Sequence, residues 1–184
     1  MAADTPVLET QRLVLRGHRA DDLDAYAAMW ADESVVRHIG GVPLSREQSW
    51  VRILQYRGMW ALLGLGFWVI EERAAGRLVG EAGVQDMRRD IRPGLAGSLE
   101  CGWGLVPAAQ GRGLAEEAMR AVLGWAERER PGMPLACIVG TGNEPSLRLA
   151  GKLGFAEAGH ADYRGKEVAV MRRAATPPRT PESS

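Results

Sequence analysis

The sequence predicts an α/β fold, a mixed sheet with helices packed on it, in the order βααβββαβαβ. Three observations carry this. Short apolar runs bounded by turn residues alternate with segments of helical period. Capping residues mark where the helices start and stop. The chain has 184 residues, 46% of them hydrophobic and 25% charged, enough to bury one sizeable core without a second domain.

The first strand is the apolar run Arg12–Arg16. Leu23, Tyr26, Ala27 and Trp30 then recur at helical spacing, behind Asp21 and Asp22, which suit the positive end of a helix. Ser45 and Gln48 form a capping-box pair that starts a second helix, with Trp50, Ile53 and Leu54 as its buried side and the glycines at 64 and 66 ending it. Phe67–Ile70 and Arg77–Val84, joined by a polar turn with Gly76, read as a hairpin. Residues 85–98 carry turn chemistry without a period, and Leu99–Val106 resumes as a strand. Gly102 and Gly104 inside that strand signal a bulge or a close approach.

Leu114, Ala118, Ala121, Val122 and Trp125 share one helical face that Pro131 and Gly132 terminate, and Leu135–Val139 is the next strand. Asn143 caps a helix whose Leu149, Ala150 and Leu153 point inward, with Gly154 at the position just past its end. Val168–Met171 is the last strand, with a small further strand near Ala156. Residues 1–173 read as one unit. Residues 174–184 hold three prolines and no large apolar side chain, and read as a disordered tail.

Composition excludes several classes of function. Lys plus Arg and Asp plus Glu both number 23, so no whole-molecule field draws in nucleic acid or an anionic membrane. No run approaches the roughly 20 apolar residues of a membrane span, and the opening lacks a signal-peptide pattern, so the expected location is cytoplasmic. Cys101 and Cys137 lack the spacing of a redox or metal pair and sit in apolar runs, as small buried hydrophobes do. The three histidines stand far apart, so no metal is expected.

The stretch from Val106 to Ala115 carries the chemistry. A strand breaks at Pro107, crosses Gln110-Gly111-Arg112-Gly113 and enters a helix. A helix N-terminus preceded by glycines offers unpaired N–H groups and a positive dipole end, and Arg112 adds a charged donor, which suits a pyrophosphate. A glycine turn feeding an ordinary helix is the plainer reading. No Gly-Lys-Ser/Thr ending is present to hold a γ-phosphate, and Glu116 replaces the third glycine of a dinucleotide fingerprint, so neither ATP nor NAD fits.

Gln110-Gly111-Arg112-Gly113-Leu114-Ala115 resembles the Q/R-x-x-G-x-G/A signature of the GNAT N-acetyltransferases. LETQRLVLRGHRADDLDAYAAMW, LECGWGLVP and NEPSLRLAGKLGF are similar, in family order, to segments of the branch that includes ribosomal-protein N-terminal acetyltransferases of the Rim type. The resemblance spans residues 8–173. It implies a GNAT-like acyl-CoA N-acyltransferase fold, acetyl-CoA as cosubstrate, and transfer of an acetyl group directly to a primary amine. It assigns the cosubstrate to Gly104, Leu105 and Val106 on a bulged strand, to the turn and helix start Gln110, Gly111, Arg112, Gly113, Leu114 and Ala115, and to Asn143, which is also a helix cap.

The resemblance further implies Glu100 as base, against a reading of Glu100 as a structural partner for an arginine. The tyrosine that many members use to protonate the leaving thiolate is Ala150 here, which turns attention to Ser146, as in the Rim branch. Glu157 stands one residue before the place where that branch often carries a glutamate, which weakens a ribosomal substrate. Among the six tryptophans, most belong to the core, and Trp50 or Trp60 is the candidate to line an acceptor pocket. The acceptor itself, a protein N-terminus or a small-molecule amine, is not selected by any motif. Homodimers are common in the family, and the competing reading is an acyl-CoA-binding sensor without catalysis.

Overall fold

The computed structural model describes residues 5–92 and 94–175. Its strands are β1 (Leu8–Glu9), β2 (Leu13–Arg16), β3 (Phe67–Glu72), β4 (Arg77–Gln85), β5 (Leu99–Leu105), β6 (Leu135–Gly140), β7 (Ala156–Tyr163) and β8 (Lys166–Arg173). Its helices are α1 (Leu23–Ala31), α2 (Glu33–Val36), α3 (Arg46–Leu63), α4 (Leu114–Glu129) and α5 (Glu144–Lys152). All eight strands join one sheet in the order β1-β2-β3-β4-β5-β6-β8-β7, antiparallel throughout except between β5 and β6. The mixed α/β sheet of the sequence reading is therefore present, enlarged by β1, by the short α2 and by a full-length β7. The tail reading lies outside the described residues from position 176 onward.

Strand alternation divides the core between two faces. Ala82 and Val84 of β4, with Cys101 and Leu105 of β5, meet α4 and α5 through Leu114, Ala118, Met119, Val122, Ala150 and Leu153. On the opposite face, Tyr26, Met29 and Trp30 of α1 pack with Ile53 of α3 and with Val35 and Val36. The aperiodic loop from 86 to 98 covers the far half of that face, inserting Ile91 and Leu95 against Ala136, Val168 and Val170. A buried ion pair fixes the entry to α1: Arg16 grips both oxygens of Asp22 at 2.9 and 2.7 Å and reaches Glu71 at 2.8 Å.

Local signals mostly hold. Ser45 and Gln48 close the capping box of α3, which ends at Gly64 in the left-handed conformation. The buried face of α3 is Ser49, Ile53, Tyr56 and Trp60, so Leu54 points outward and is half exposed, contrary to the sequence reading. At about 100° per residue, Leu54 falls well round the helix from the centre of the stripe that Ser49, Ile53, Tyr56 and Trp60 make. β7 was foreshadowed only as a small strand near Ala156. It is an edge strand with mostly exposed side chains, held by pairing to β8 rather than by an apolar stripe.

Candidate active site

β5 and β6 pair only at Leu99–Leu135 and Glu100–Ala136. Beyond that point β5 stays with β4 as far as Leu105, and β6 follows β8 to Gly140, so the sheet opens between them. Two cavities of about 630 and 590 Å³ meet in this gap. The first lies on the α1 and α3 face and reaches Glu81 and Glu100, and the second reaches the first turns of α4 and α5. They share Arg37, His38, Ile39, Trp103, Asn143 and Ser146. A ligand can therefore approach from each face and meet another at Trp103 and Ser146.

On the second cavity, Gly111 and Gly113 adopt φ of +71° and +74°, conformations that glycine takes without strain. Gly113 is the N-cap of α4 and no side chain caps that end, so the first-turn amides have no intrahelical acceptor and their dipole end faces the cavity with Leu114 and Ala115. A Cβ on Gly111 would meet nothing within 4 Å, so the turn is open to a ligand. These features fit the pyrophosphate of a coenzyme A. Gln110 turns back and donates to the Leu105 carbonyl at 3.1 Å, closing the end of β5. Arg112 differs from the expectation. Its guanidinium is bonded to Glu72, whose carboxyl it holds below the usual range, and it does not line the cavity.

The strand residues are placed differently from one another: Gly104 and Leu105 line the second cavity and Val106 does not. The register of β5 against β4 runs without a shift, so β5 has no bulge on that side. Leu99 N–H donates toward β6, to Pro134 O, whereas Val106 N–H donates to Val79 O at 3.0 Å. Alternation then turns the amides of Cys101, Trp103 and Leu105 toward the gap and those of Gly102 and Gly104 toward β4. Of Gly104, Leu105 and Val106, only Leu105 presents its N–H to the gap. The glycines serve close approach instead: a Cβ on Gly102 would lie 2.7 Å from the Phe67 ring.

At the junction, Asn143 Oδ1 accepts from Ser146 N–H at 3.3 Å, the expected helix cap, which leaves its amide NH₂ available. Ser146 Oγ accepts from the Trp103 indole at 3.3 Å and keeps its own O–H to donate. Ala150 is fully buried in the core, so no hydroxyl reaches the gap from that turn of α5.

Two buried carboxylates face the first cavity. Glu100 accepts a two-pronged bond from Arg89, at 2.6 and 2.7 Å, and a third from Gln85 Nε2 at 3.0 Å. Arg89 also bonds the Tyr163 hydroxyl. Glu81, which the sequence reading missed, is 1% exposed and accepts from the Tyr26 hydroxyl at 2.5 Å, Arg52 at 3.0 Å and the Tyr56 hydroxyl at 3.2 Å. Burial pushes its carboxyl up, but the Arg52 charge, with His18 and Tyr26, outweighs this and holds it below the usual range. A lone carboxylate between Gly80 and Ala82 in an apolar strand was the signal available.

Trp30 and Trp103 line the first cavity, whereas Trp60 is stacked edge-on between Trp68 and Trp125 in the core and Trp50 packs beside α1. Helix 3 presents its tryptophans to packing because its buried face is rotated from the expected one. Cys101 and Cys137 are buried free thiols, and burial pushes the Cys137 thiol up to about 12, which deprives it of the thiolate a nucleophile needs. Among the described residues no cluster of His, Cys, Asp or Glu is placed to hold a metal, and no helix is long and apolar enough to cross a membrane.

Comparison with known proteins identifies the fold and the family. The family profile described as Acetyltransferase (GNAT) domain matches residues 12–156. A structure from Bordetella pertussis assigned to the GnaT-family acetyltransferases superposes with a TM-score of 0.81 at 35% identity, covering 92% of this chain and 99% of that one. The N-acetyltransferase YoaA of Bacillus subtilis is 28% identical over 84% of this chain and 85% of its own length. The yncA structure from Salmonella typhimurium, solved with its cofactor acetyl-CoA, shares the fold at 20% identity and a TM-score of 0.70, covering 95% and 100% of the two chains. Solved ribosomal-protein acetyltransferases, RimL among them at 14% identity and a TM-score of 0.76, share the fold as well.

Proposed function

The chain belongs to the GNAT acetyltransferase family, and on that premise we propose that it transfers an acetyl group from acetyl-CoA directly to a primary amine, that of a protein N-terminus or a small molecule. One observation carries the reading: the gap between β5 and β6 joins a cavity with an uncapped helix start to a second cavity on the opposite face, with Ser146 between them.

In this reading the amides at Gly113, Leu114 and Ala115 receive the pyrophosphate, and the NH₂ of Asn143 meets the amides of the pantetheine arm. The amine lone pair attacks the thioester carbonyl carbon, a C–N bond forms, and negative charge gathers on oxygen, where the gap-facing amides of β5 stabilise it. The C–S bond then breaks. Before attack the ammonium has given one proton to water ordered by the fixed carboxylate of Glu100. As the C–S bond breaks, the surplus proton on the newly bonded nitrogen passes through the Ser146 hydroxyl to the departing sulfur, which leaves as the thiol of CoA with Ser146 restored. Neither cysteine is asked to form an acyl intermediate.

The sensor reading rests on Ala150 alone, and the Ser146 hydroxyl supplies what Ala150 lacks. The test is calorimetric titration with acetyl-CoA, beside Ala115→Glu, which adds bulk and like charge in the first turn of α4. The variant's fold is checked by circular dichroism, because Ala115 is half-buried against the core. Saturable binding that the variant loses, followed by CoA release dependent on one amine in a panel, supports transfer. Binding without release over the whole panel selects the sensor, and no binding by folded wild type removes the reading.

A further inference from the structure

Five cationic side chains, Arg37, Arg52, Arg89, Arg164 and Lys166, line the first cavity against three carboxylates, Glu81, Glu100 and Glu167. The two buried carboxylates are already matched from within the fold, Glu81 by Arg52 with two tyrosine hydroxyls and Glu100 by the fork of Arg89. Glu167, at the exposed end of β8, is in contact with His160 at 3.4 Å. The deep wall is thus electrically balanced and largely aromatic, with Trp30, Phe67, Trp103 and Tyr163. The excess positive charge sits at the mouth.

Arg164, in the turn between β7 and β8, and Lys166, the first residue of β8, stand on the side of the cavity that faces the loop before α3. Lys166 Nζ donates to the Gly40 carbonyl at 3.3 Å and passes close over Gly41, whose φ of +81° glycine takes without strain. The Arg164 guanidinium lies 5.2 Å from the Tyr163 ring, and among the described residues no carboxylate stands at salt-bridge distance from it. Neither residue lines the second cavity, so the phosphates of the cosubstrate do not account for them.

Resting on the reading of this cavity as the acceptor side, we propose that the acceptor is an amine whose skeleton also carries a carboxylate, received by Arg164 and Lys166. Guanidinium and ammonium donors make charge-assisted bonds to a carboxylate, and a cleft with low-dielectric walls focuses their field. The same charges repel polyamines and polycationic amino sugars, whose additional ammonium groups find no unmatched carboxylate on the deep wall.

The test is binding, so it does not depend on turnover. N-acetyl ω-amino acids of two to six carbons and N-acetyl-L-phenylalanine, each beside its carboxamide, are titrated into the full chain with and without saturating CoA. At least one acid is expected to bind about tenfold more tightly than its amide, the scale of two charge-assisted bonds at a partly exposed site. Arg164→Gln combined with Lys166→Gln, both exposed side chains, is expected to bring that ratio to about one with CoA affinity unchanged. Equal affinity of every acid and amide, binding of neither, or an acid preference that survives the double variant overturns the proposal. Failure of the protein to bind CoA counts against the acetyltransferase reading instead, and the titration without CoA still decides the carboxylate site.

Discussion

Ser146 and Glu100 stand on opposite sides of one gap, and each has a structural duty that its chemistry must be separated from. Ser146 takes the Trp103 indole, so Ser146→Ala orphans that donor as well as removing an O–H. If the hydroxyl meets the leaving sulfur, kcat falls about tenfold to a hundredfold while acetyl-CoA affinity measured by calorimetry holds; wild-type turnover would reduce Ser146 to a helix-start residue. Glu100→Gln breaks the fork to Arg89 and costs stability whatever its role, so the informative readout is the pH profile. A base there predicts kcat lower by about a hundredfold with the acid limb of the profile lost, whereas a positioning role lowers the plateau and leaves the limb. The sequence presented both readings of Glu100 without choosing, because its partner Arg89 lies in a loop with no period to say where it points. Asn143 was legible because a helix cap is a local pattern, whereas Ser146 came from the family resemblance once Ala150 stood in the tyrosine's place. Glu81 was not legible, since its partners come from α1 and α3, far away in sequence.

Strands and helices that bury one face left clear periods, and those that do not left none. α4 is the clearest case: of Leu114, Ala118, Ala121, Val122 and Trp125, which mark its stripe, all are buried except Ala121, which is half-buried at the margin. β7 shows the opposite, an edge strand whose exposed side chains carry no alternation to read. β5 lies between these cases. Its glycines announced a bulge or a close approach, and tertiary packing decided for the approach, with Phe67 of β3 filling the space that Gly102 leaves. Gly102→Ala therefore sets a methyl 2.7 Å from that ring in a strand that cannot shift without disturbing its ladder. The expected cost is about 1–3 kcal/mol, or a fall of roughly 3–10 °C in melting temperature for a chain of this size. Gly104→Ala, whose Cβ would meet Ile39 at an ordinary 3.5 Å, is the matched control and should melt within a degree or two of wild type. Equal melting of both variants would mean that β5 is not held as tightly as this packing requires.

Across the whole molecule, the alternation of strands and helices foretold the sheet, but not the place where β5 and β6 part, since no local pattern records what a strand stops touching. The same long-range assembly decides how the fold responds to acid. Asp22 and Glu81 tie α1 and α3 to the sheet. Burial pushes both carboxyls up, yet Arg16 with the Arg19 amide in one case, and Arg52 with His18 and Tyr26 in the other, leave both below their ordinary values. A carboxyl lowered in the folded state contributes its full stability above its unfolded pKa, about 4, and loses that contribution as pH falls through the lower folded value. These groups predict a melting temperature that is level from about pH 8 to 5 and drops steeply below about pH 4. Glu81→Gln removes one such group and leaves Arg52 without its counter-charge. At neutral pH it should cost about 3 kcal/mol, and the acid limb of its melting curve should be shallower than that of wild type. A variant that keeps the wild-type acid limb would show that Glu81 is not among the groups whose protonation unfolds the protein, and would shift that role to Asp22 and the Arg16 pair.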